Sequence, residues 1–333
     1  MKVLVTGAAG FIGSTLLRRM SVRGIAAMGI DSMDGSADMS LMEGRMRGCC
    51  VLPVSICDKE ALDSLFEAER FDVVVNMAAR AGVRRSVEQP YDYLDANVAG
   101  FLNVLEACRR FGVRHLVTAS SSSVYGDVCG NRSVEGCATS SPLSFYAATK
   151  KAGEVMAYSY SHMYGLPVTV LRFFSVYGPW GRPDMAYFSF ADKLVRGEKI
   201  SLFNYGNCRR DFTYIDDIVE GVIRVMMSAP VGKAGEDGQI VPPYAVYNIG
   251  NSEPVILQDF VRILSEELCA AGVLPEDFDL DSHIDLVPMQ PGDVVETYAD
   301  VSSLERDFGF RPSTSLREGL RKFALWYKDW VSA

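Results

Sequence analysis

The stretch Ser144-Phe145-Tyr146-Ala147-Ala148-Thr149-Lys150 holds a phenol and an ammonium four residues apart, a spacing that one helix face brings together. A lysine near a phenol favours the phenolate, as does a cationic ring close by, so Tyr146 can serve as a base near neutral pH. Tyr-x-x-x-Lys alone is common by chance and reads equally well as a surface pair. Here it follows a run of hydroxyls, Ser120 to Ser123, at the carboxyl end of an apolar strand pattern, His115 to Ala119. At a strand end such hydroxyls suit the positioning of a substrate hydroxyl. A third feature, Gly7-Ala8-Ala9-Gly10-Phe11-Ile12-Gly13 after the β-branched run Lys2 to Thr6, reads as a nucleotide-binding turn, and the three together make a site.

The elements that must position these groups alternate regularly. Strand, glycine turn and an amphipathic helix, Ser14 to Met20, come in the order a dinucleotide requires. Glycines permit a tight turn and close approach of a pyrophosphate, whose charge then sits at the helix N-terminus. The spacing is Gly-x-x-Gly-x-x-Gly instead of Gly-x-Gly-x-x-Gly. The next strand, Ile25 to Ile30, ends at Asp31, eighteen residues beyond Gly13, where a carboxylate accepts hydrogen bonds from an adenosine ribose diol and repels a 2′-phosphate. NAD is therefore expected in preference to NADP. Residues 32 to 48 show no clear period and read as a surface loop with room for a short helix. Cys50 to Val54 and Asp72 to Val75 are further strands, separated by a helix capped by Asp58. Met77-Ala78-Ala79 then offers side chains small enough for a cofactor to lie across the sheet edge. A long helix is expected from Tyr91 to Phe111; within it Asn97 is either a helix-surface amide or a group tying the active-site backbone together.

This alternation implies an α/β protein, a doubly wound parallel sheet covered on both faces with ligands at the carboxyl ends of its strands. Gly130 to Ser141 reads as an exposed loop, and Pro142 restricts the approach to the helix of Tyr146. After the strand Pro167 to Phe174 the alternation stops in a Gly/Pro-rich stretch, Ser175 to Asp184, where a smaller α/β part begins. Ile200 to Asn204 and Arg209 to Tyr214 contribute a planar ring and two cations, suited to a base and a diphosphate. Ile215 to Met227 reads as a helix, Ala245 to Ile249 as a strand, Leu257 to Cys269 as a helix, Gln290 to Asp293 as a turn and Leu316 to Trp330 as a closing helix. The expected division is a dinucleotide-binding domain over residues 1–174, completed by about 214–249, and a substrate domain over 175–213 and 250–330.

Composition bounds the rest. With 333 residues and 48% hydrophobic content the chain can bury a sizeable core. A net charge of -9 argues against nucleic acid or an anionic membrane as partner. The eight cysteines are scattered without metal-ligand spacing apart from the adjacent Cys49 and Cys50, so no metal is expected; they read as reduced thiols of a cytoplasmic protein whose N-terminus runs directly into a strand. No apolar run reaches the ~18 residues that span a bilayer.

Four motifs carry a resemblance that runs nearly end to end: Thr6 to Ser14, Tyr146-Ala147-Ala148-Thr149-Lys150-Lys151, Arg172 to Ala186, and Arg210-Asp211-Phe212-Thr213-Tyr214-Ile215-Asp216-Asp217. The chain resembles the extended short-chain dehydrogenases/reductases of the nucleotide-sugar epimerase group, most closely the UDP-glucuronate 4-epimerases, with the third motif the discriminating one. The resemblance implies a Rossmann-type fold, NAD as cofactor, a UDP-sugar as substrate and a homodimer. It implies Tyr146 as catalytic base, Lys150 on the nicotinamide ribose and lowering the tyrosine pKa, and Ser121 on the sugar O4. Gly7, Gly10, Phe11, Ile12, Gly13, Asp31, Ser32, Ile56, Met77, Ala78, Ala79 and Asn97 complete the cofactor set. Ser122, Ser123, Ser175 and Arg182 would face the sugar and its carboxylate; Phe203 would stack on uracil, Arg210 would contact the diphosphate, and Asp293 joins the substrate set. Relatives usually have an aspartate at Ser55, a threonine at Ser175 and a glutamine at Arg80, and the loop after Asp31 differs from theirs. Dehydratases of the group carry an Asp-Glu pair after the serine strand, where this chain has hydroxyls. UDP-glucose/galactose 4-epimerisation, UDP-glucuronate decarboxylation and a catalytically silent NAD sensor are the competing expectations.

Overall fold

A computed structural model describes residues 1–34, 39–127, 132–234, 240–289 and 293–332. The chain begins β1 (Lys2–Thr6), α1 (Phe11–Val22), β2 (Ala26–Asp31), α2 (Met39–Met46), β3 (Val51–Pro53), α3 (Lys59–Glu69), β4 (Val73–Asn76), α4 (Val83–Glu88) and α5 (Pro90–Leu94). A π-helical turn (Asp95–Gly100) leads to α6 (Phe101–Arg110), β5 (His115–Ser121), α7 (Phe145–Tyr164), β6 (Val168–Phe173), β7 (Ser175–Tyr177), α8 (Ala186–Val195), β8 (Ile200–Leu202) and β9 (Arg209–Tyr214). Then follow α9 (Ile215–Met226), the short β10 (Lys233–Ala234) and β11 (Ile240–Val241), β12 (Tyr244–Ile249), β13 (Pro254–Ile256), α10 (Leu257–Ala270), β14 (Ile284–Leu286), α11 (Ser302–Phe308) and α12 (Leu316–Val331).

Seven strands form one parallel sheet in the order β12-β6-β5-β4-β1-β2-β3. The chain winds outward from β1 through β2 to β3, then returns to β1's other side for β4, β5 and β6. The reversal between β1 and β4 opens the crevice in which such sheets bind ligands. Successive strand residues point to opposite faces: Val3, Val5, Val75 and Val117 pack on one side with Phe11, Leu16 and Met20 of α1, while Leu4, Val74 and Leu116 pack on the other with Leu62, Phe66 and Val104. Both faces are covered, so β4 and β6 are buried along their whole length, as the unbroken apolar runs require.

After β6 the chain leaves this sheet at Phe174. A three-stranded sheet, β13-β9-β7, and the parallel pair β14-β8 form beside it. Rings hold them to α8, α10 and α12: Phe212 stacks on Phe260 at 4.2 Å, and Phe188 meets Phe323, Trp326, Tyr327 and Trp330.

The helix expected from Tyr91 to Phe111 starts at Pro90 and runs on through α5, the π-helical turn and α6, and the wider turn in its middle places Asn97 inward. The unpatterned stretch 32–48 contains α2, whose Leu41, Met42 and Arg45 are buried; residues 35–38 lie outside the described residues. β8 ends at Leu202, because Asn204 and Tyr205 adopt left-handed backbone (φ 51° and 55°). Gly130 and Asn131 of the expected loop, and Gln290, Pro291 and Gly292 of the expected turn, also lie outside the described residues.

Candidate active site

The glycine turn at the end of β1 is built for close approach. Gly7 has φ 66°, and a Cβ on it would stand 2.6 Å from the Ala78 nitrogen; a Cβ on Gly13 would stand 2.2 Å from the Gly7 oxygen. Gly10 caps α1 without a side chain, and the first turn carries no acid, so its unpaired N–H groups face an anion without competition. Beneath lies a buried row across three strands: the Thr6 hydroxyl donates to Asn76 Oδ1 at 2.6 Å, and Asn76 Nδ2 donates to Thr118 Oγ1 at 3.2 Å. Asp31 accepts from the Ala9 N–H at 3.0 Å and the Met33 N–H at 3.1 Å. Burial raises its pKa, those two donors oppose it, and of the nearby charges Asp34 raises it while Arg80 lowers it. Met77, Ala78 and Ala79 are half-buried beside the turn, Ile56 is buried and Ser32 is exposed. Ser55, in place of the usual aspartate, accepts from the Cys57 N–H at 3.1 Å and so closes its own turn.

Of the two readings of Asn97, the backbone tie holds. Its Oδ1 accepts from the Arg80 N–H at 2.7 Å, and its Nδ2 donates to the Arg80 carbonyl and to Thr149 Oγ1, each at 3.0 Å. The amide thus braces the wall behind the expected cofactor position instead of presenting free polar atoms to it.

The reactive groups meet at the carboxyl end of β5. Ser144 caps α7, accepting from the Ala147 N–H at 3.1 Å, and Tyr146 and Lys150 follow one turn apart. Ser121 accepts from the Ser123 hydroxyl at 2.9 Å and lies close enough to Tyr146 to act on its phenol. Burial raises the Tyr146 pKa; the Ser121 hydroxyl and the Arg182 charge oppose it. Lys150 was expected to be the cation acting on this phenol. Instead its ammonium donates to the Ala119 carbonyl at 3.1 Å, burial lowers its pKa to about 8, and the cation acting on Tyr146 is Arg182. Arg182 is held by Asp184, Nε to Oδ1 at 3.0 Å, and its Nη2 donates to the Ala81 carbonyl at 3.3 Å. Ser122 is half-buried in the turn after β5, and Ser175 opens β7 opposite Phe212.

The groups expected at the nucleotide end lie on the smaller sheets. The Arg84 guanidinium stands 5.3 Å from the centre of the Phe203 ring. Arg210 Nη2 donates to Asp293 Oδ1 at 2.7 Å, joining β9 to the segment after residue 292. Among the described residues no hydrogen bond, ion pair or ring contact joins Phe203, Arg210 or Asp293 to Tyr146 or Ser121.

Several residues escaped the sequence reading. Tyr93 is buried edge-on to Tyr146, with ring centres 6.2 Å apart. Asp184, two residues beyond Arg182, fixes that guanidinium. Glu154, buried in α7, accepts from the Ser120 hydroxyl at 2.7 Å and from Arg172 through two bonds of 2.8 Å. The four-residue step from Tyr146 to Lys150 continues to Glu154, and that signal was available. Among the described residues no group of three or more His, Cys, Asp or Glu side chains is arranged to hold a metal.

Residues 3–250 match the model of the NAD dependent epimerase/dehydratase family. UDP-glucuronate 4-epimerase 4 of Arabidopsis thaliana is 42% identical over 99% of this chain and 76% of its own length. Protein CapI of Staphylococcus aureus is 42% identical over 99% of both. The crystal structure of UDP-glucuronic acid 4-epimerase from Bacillus cereus, in complex with UDP-glucuronic acid and NAD, is 30% identical with a TM-score of 0.86, covering 99% of this chain and 100% of that one.

Proposed function

The chain belongs to the NAD dependent epimerase/dehydratase family, and from that premise we propose that it interconverts UDP-glucuronate and UDP-galacturonate by inverting C4. The observation that carries this reading is the pairing of Tyr146 with Ser121, a lone phenol base beside a hydroxyl, with hydroxyls again at 122 and 123 where a dehydratase has its acid pair. Bound NAD supplies the acceptance of a hydride from C4 and its return. Tyr146 takes the O4 proton as C4 becomes a ketone, and gives it back after the ring has turned over. Ser121 holds O4 throughout. Lys150 carries the charge that faces the nicotinamide ribose.

A ketone at C4 is β to the uronate carboxylate, and such an acid loses carbon dioxide when its carboxylate bond aligns with the carbonyl π system. Ser122, Ser123 and Ser175 hold the carboxylate out of that alignment, with Arg182 as a longer-range anchor. Residues 1–174 and 214–249 bind the cofactor; 175–213 and 250–330 bind the UDP-sugar, with Phe203 on the uracil and Arg210, kept in place by Asp293, on the diphosphate. The protein works in the cytoplasm, consistent with free cysteines among the described residues. It pairs as a homodimer through α6 and α7, supported by the exposed apolar side chains there.

The test is to incubate the purified protein with UDP-glucuronate and resolve the products. UDP-galacturonate without net accumulation of reduced cofactor is expected, whereas UDP-4-keto-pentose with stoichiometric reduced cofactor would make it a decarboxylase. Tyr146→Phe should bind both ligands and lose ~10²–10⁴-fold in turnover. Turnover within a few-fold of the parent would remove Tyr146 from the role of base.

A further inference from the structure

Arg80 and Asp34 stand on opposite banks of the cofactor groove. Arg80 follows β4 and Asp34 follows β2, and in the sheet order β4-β1-β2 both flank β1, the strand that ends in the glycine turn. An ion pair between these two loops crosses above the carboxyl end of β1. The pair is forked: Arg80 Nη1 donates to Asp34 Oδ1 at 3.2 Å, and Nη2 donates to Oδ2. Both groups also lie close enough to Asp31 to act on its charge, in opposite directions, which places them beside the carboxylate expected to hold the adenosine ribose.

We propose that the Arg80–Asp34 pair is a clasp over the dinucleotide groove that sets how long NAD is retained. The Arg80 backbone is braced on both sides by the Asn97 amide, so the stem is fixed and only the guanidinium reaches across. The side chains are 24% and 47% exposed, so the bridge spans the mouth of the groove and is not part of the core. A pyrophosphate on the N-terminus of α1 would place further negative charge near Asp31 and Asp34. Arg80 is the cation that acts on Asp31 there, and it offsets this repulsion while closing the gap. Retention suits an epimerase, which returns the hydride it takes and has no use for cofactor exchange between turnovers. The inference rests on NAD occupying the groove.

The measurement is the dissociation rate of NADH from the loaded protein, followed by the loss of its fluorescence on adding excess NAD. A parent protein that binds no NADH overturns the cofactor reading and the clasp with it. If the pair is a clasp, Arg80→Gln and Asp34→Asn each raise the rate about two- to fivefold, the scale of a partly exposed ion pair. The charge-exchanged double variant, Asp34→Arg with Arg80→Asp, then returns toward the parent rate, and KM for the UDP-sugar stays unchanged throughout. If Arg80 instead binds the pyrophosphate directly, Arg80→Gln raises the rate while Asp34→Asn leaves it unchanged or slows it, and the clasp is overturned. Unchanged rates in both single variants overturn it equally.

Discussion

Lys150 must carry charge where charge is disfavoured: burial lowers its pKa from 10.5 to about 8, and among the described residues its ammonium has only the Ala119 carbonyl as hydrogen-bond partner. Below pH 8 the folded and unfolded chains are both protonated, and the folded one bears the full cost of the buried charge. Between about 8 and 10.5 the folded chain alone releases the proton, so stability rises with pH across that window. Lys150→Met should therefore stabilise the cofactor-free protein at neutral pH by about 1–3 kcal/mol while removing turnover. Urea unfolding at several pH values checks it: the gain should shrink as pH rises from 8 to 10.5, and a gain independent of pH would show that the charge is not its source. Ser175 offers a second measurement at this scale. A hydrogen bond from a hydroxyl to a carboxylate contributes ~1.5–3 kcal/mol, enough to bias a rotamer. Ser175→Ala should raise the ratio of UDP-4-keto-pentose to UDP-galacturonate formed from UDP-glucuronate. An unchanged ratio there and in Ser123→Ala would assign the restraint of the carboxylate to other groups.

At the scale of elements, α7 does more than carry the base. Its Glu154 and Arg172 of β6 form a buried forked pair tied to Ser120, the neighbour of Ser121, so helix, strand and hydroxyl are registered by one polar network. Glu154→Ala leaves the Arg172 guanidinium buried beside Tyr125 without its carboxylate and should cost about 3–5 kcal/mol in chemical denaturation. The double variant Glu154→Met with Arg172→Met should cost less than that single one, since no lone charge remains; a larger cost would mean that the network stabilises beyond its ion pair. Much of this layer was legible in sequence wherever local pattern and environment agree: strand, glycine turn and helix at residues 2–22, and the Asp58 cap. It was not legible where a distant partner decides. The π-helical turn presents Asn97 to the Arg80 backbone 17 residues away. α2 exists because Arg45 reaches the Trp180 and Gly181 carbonyls at 2.9 and 2.6 Å, and because Gly44 leaves room for the Trp180 ring, contacts more than 130 residues distant in sequence that no local period records. The surroundings of Tyr146 have the same origin: helical spacing nominates Lys150, whose ammonium donates to the Ala119 carbonyl, while Arg182 comes to act on the phenol from another loop.

For the whole molecule, the question is what covers the outer face of α6 and α7. Leu102 is 41% exposed, Val155 56% and Phe145 39%, with Leu94 beside them at 42%. Single exposed apolar residues are ordinary, but a group on two neighbouring helices fits the proposed pairing. With a net charge of -9 at neutral pH, two copies repel at long range, so association must come from short-range apolar burial. A twofold pairing uses each residue twice, so one substitution places two charges in the same interface. Leu102→Asp with Val155→Asp should then shift the protein from dimer to monomer in light scattering. Because Tyr146, Lys150 and Glu154 face inward from the same α7, loosening its outer face should also lower the temperature of unfolding. A variant that remained dimeric would move the interface elsewhere, and a parent protein that is monomeric at micromolar concentration would remove it.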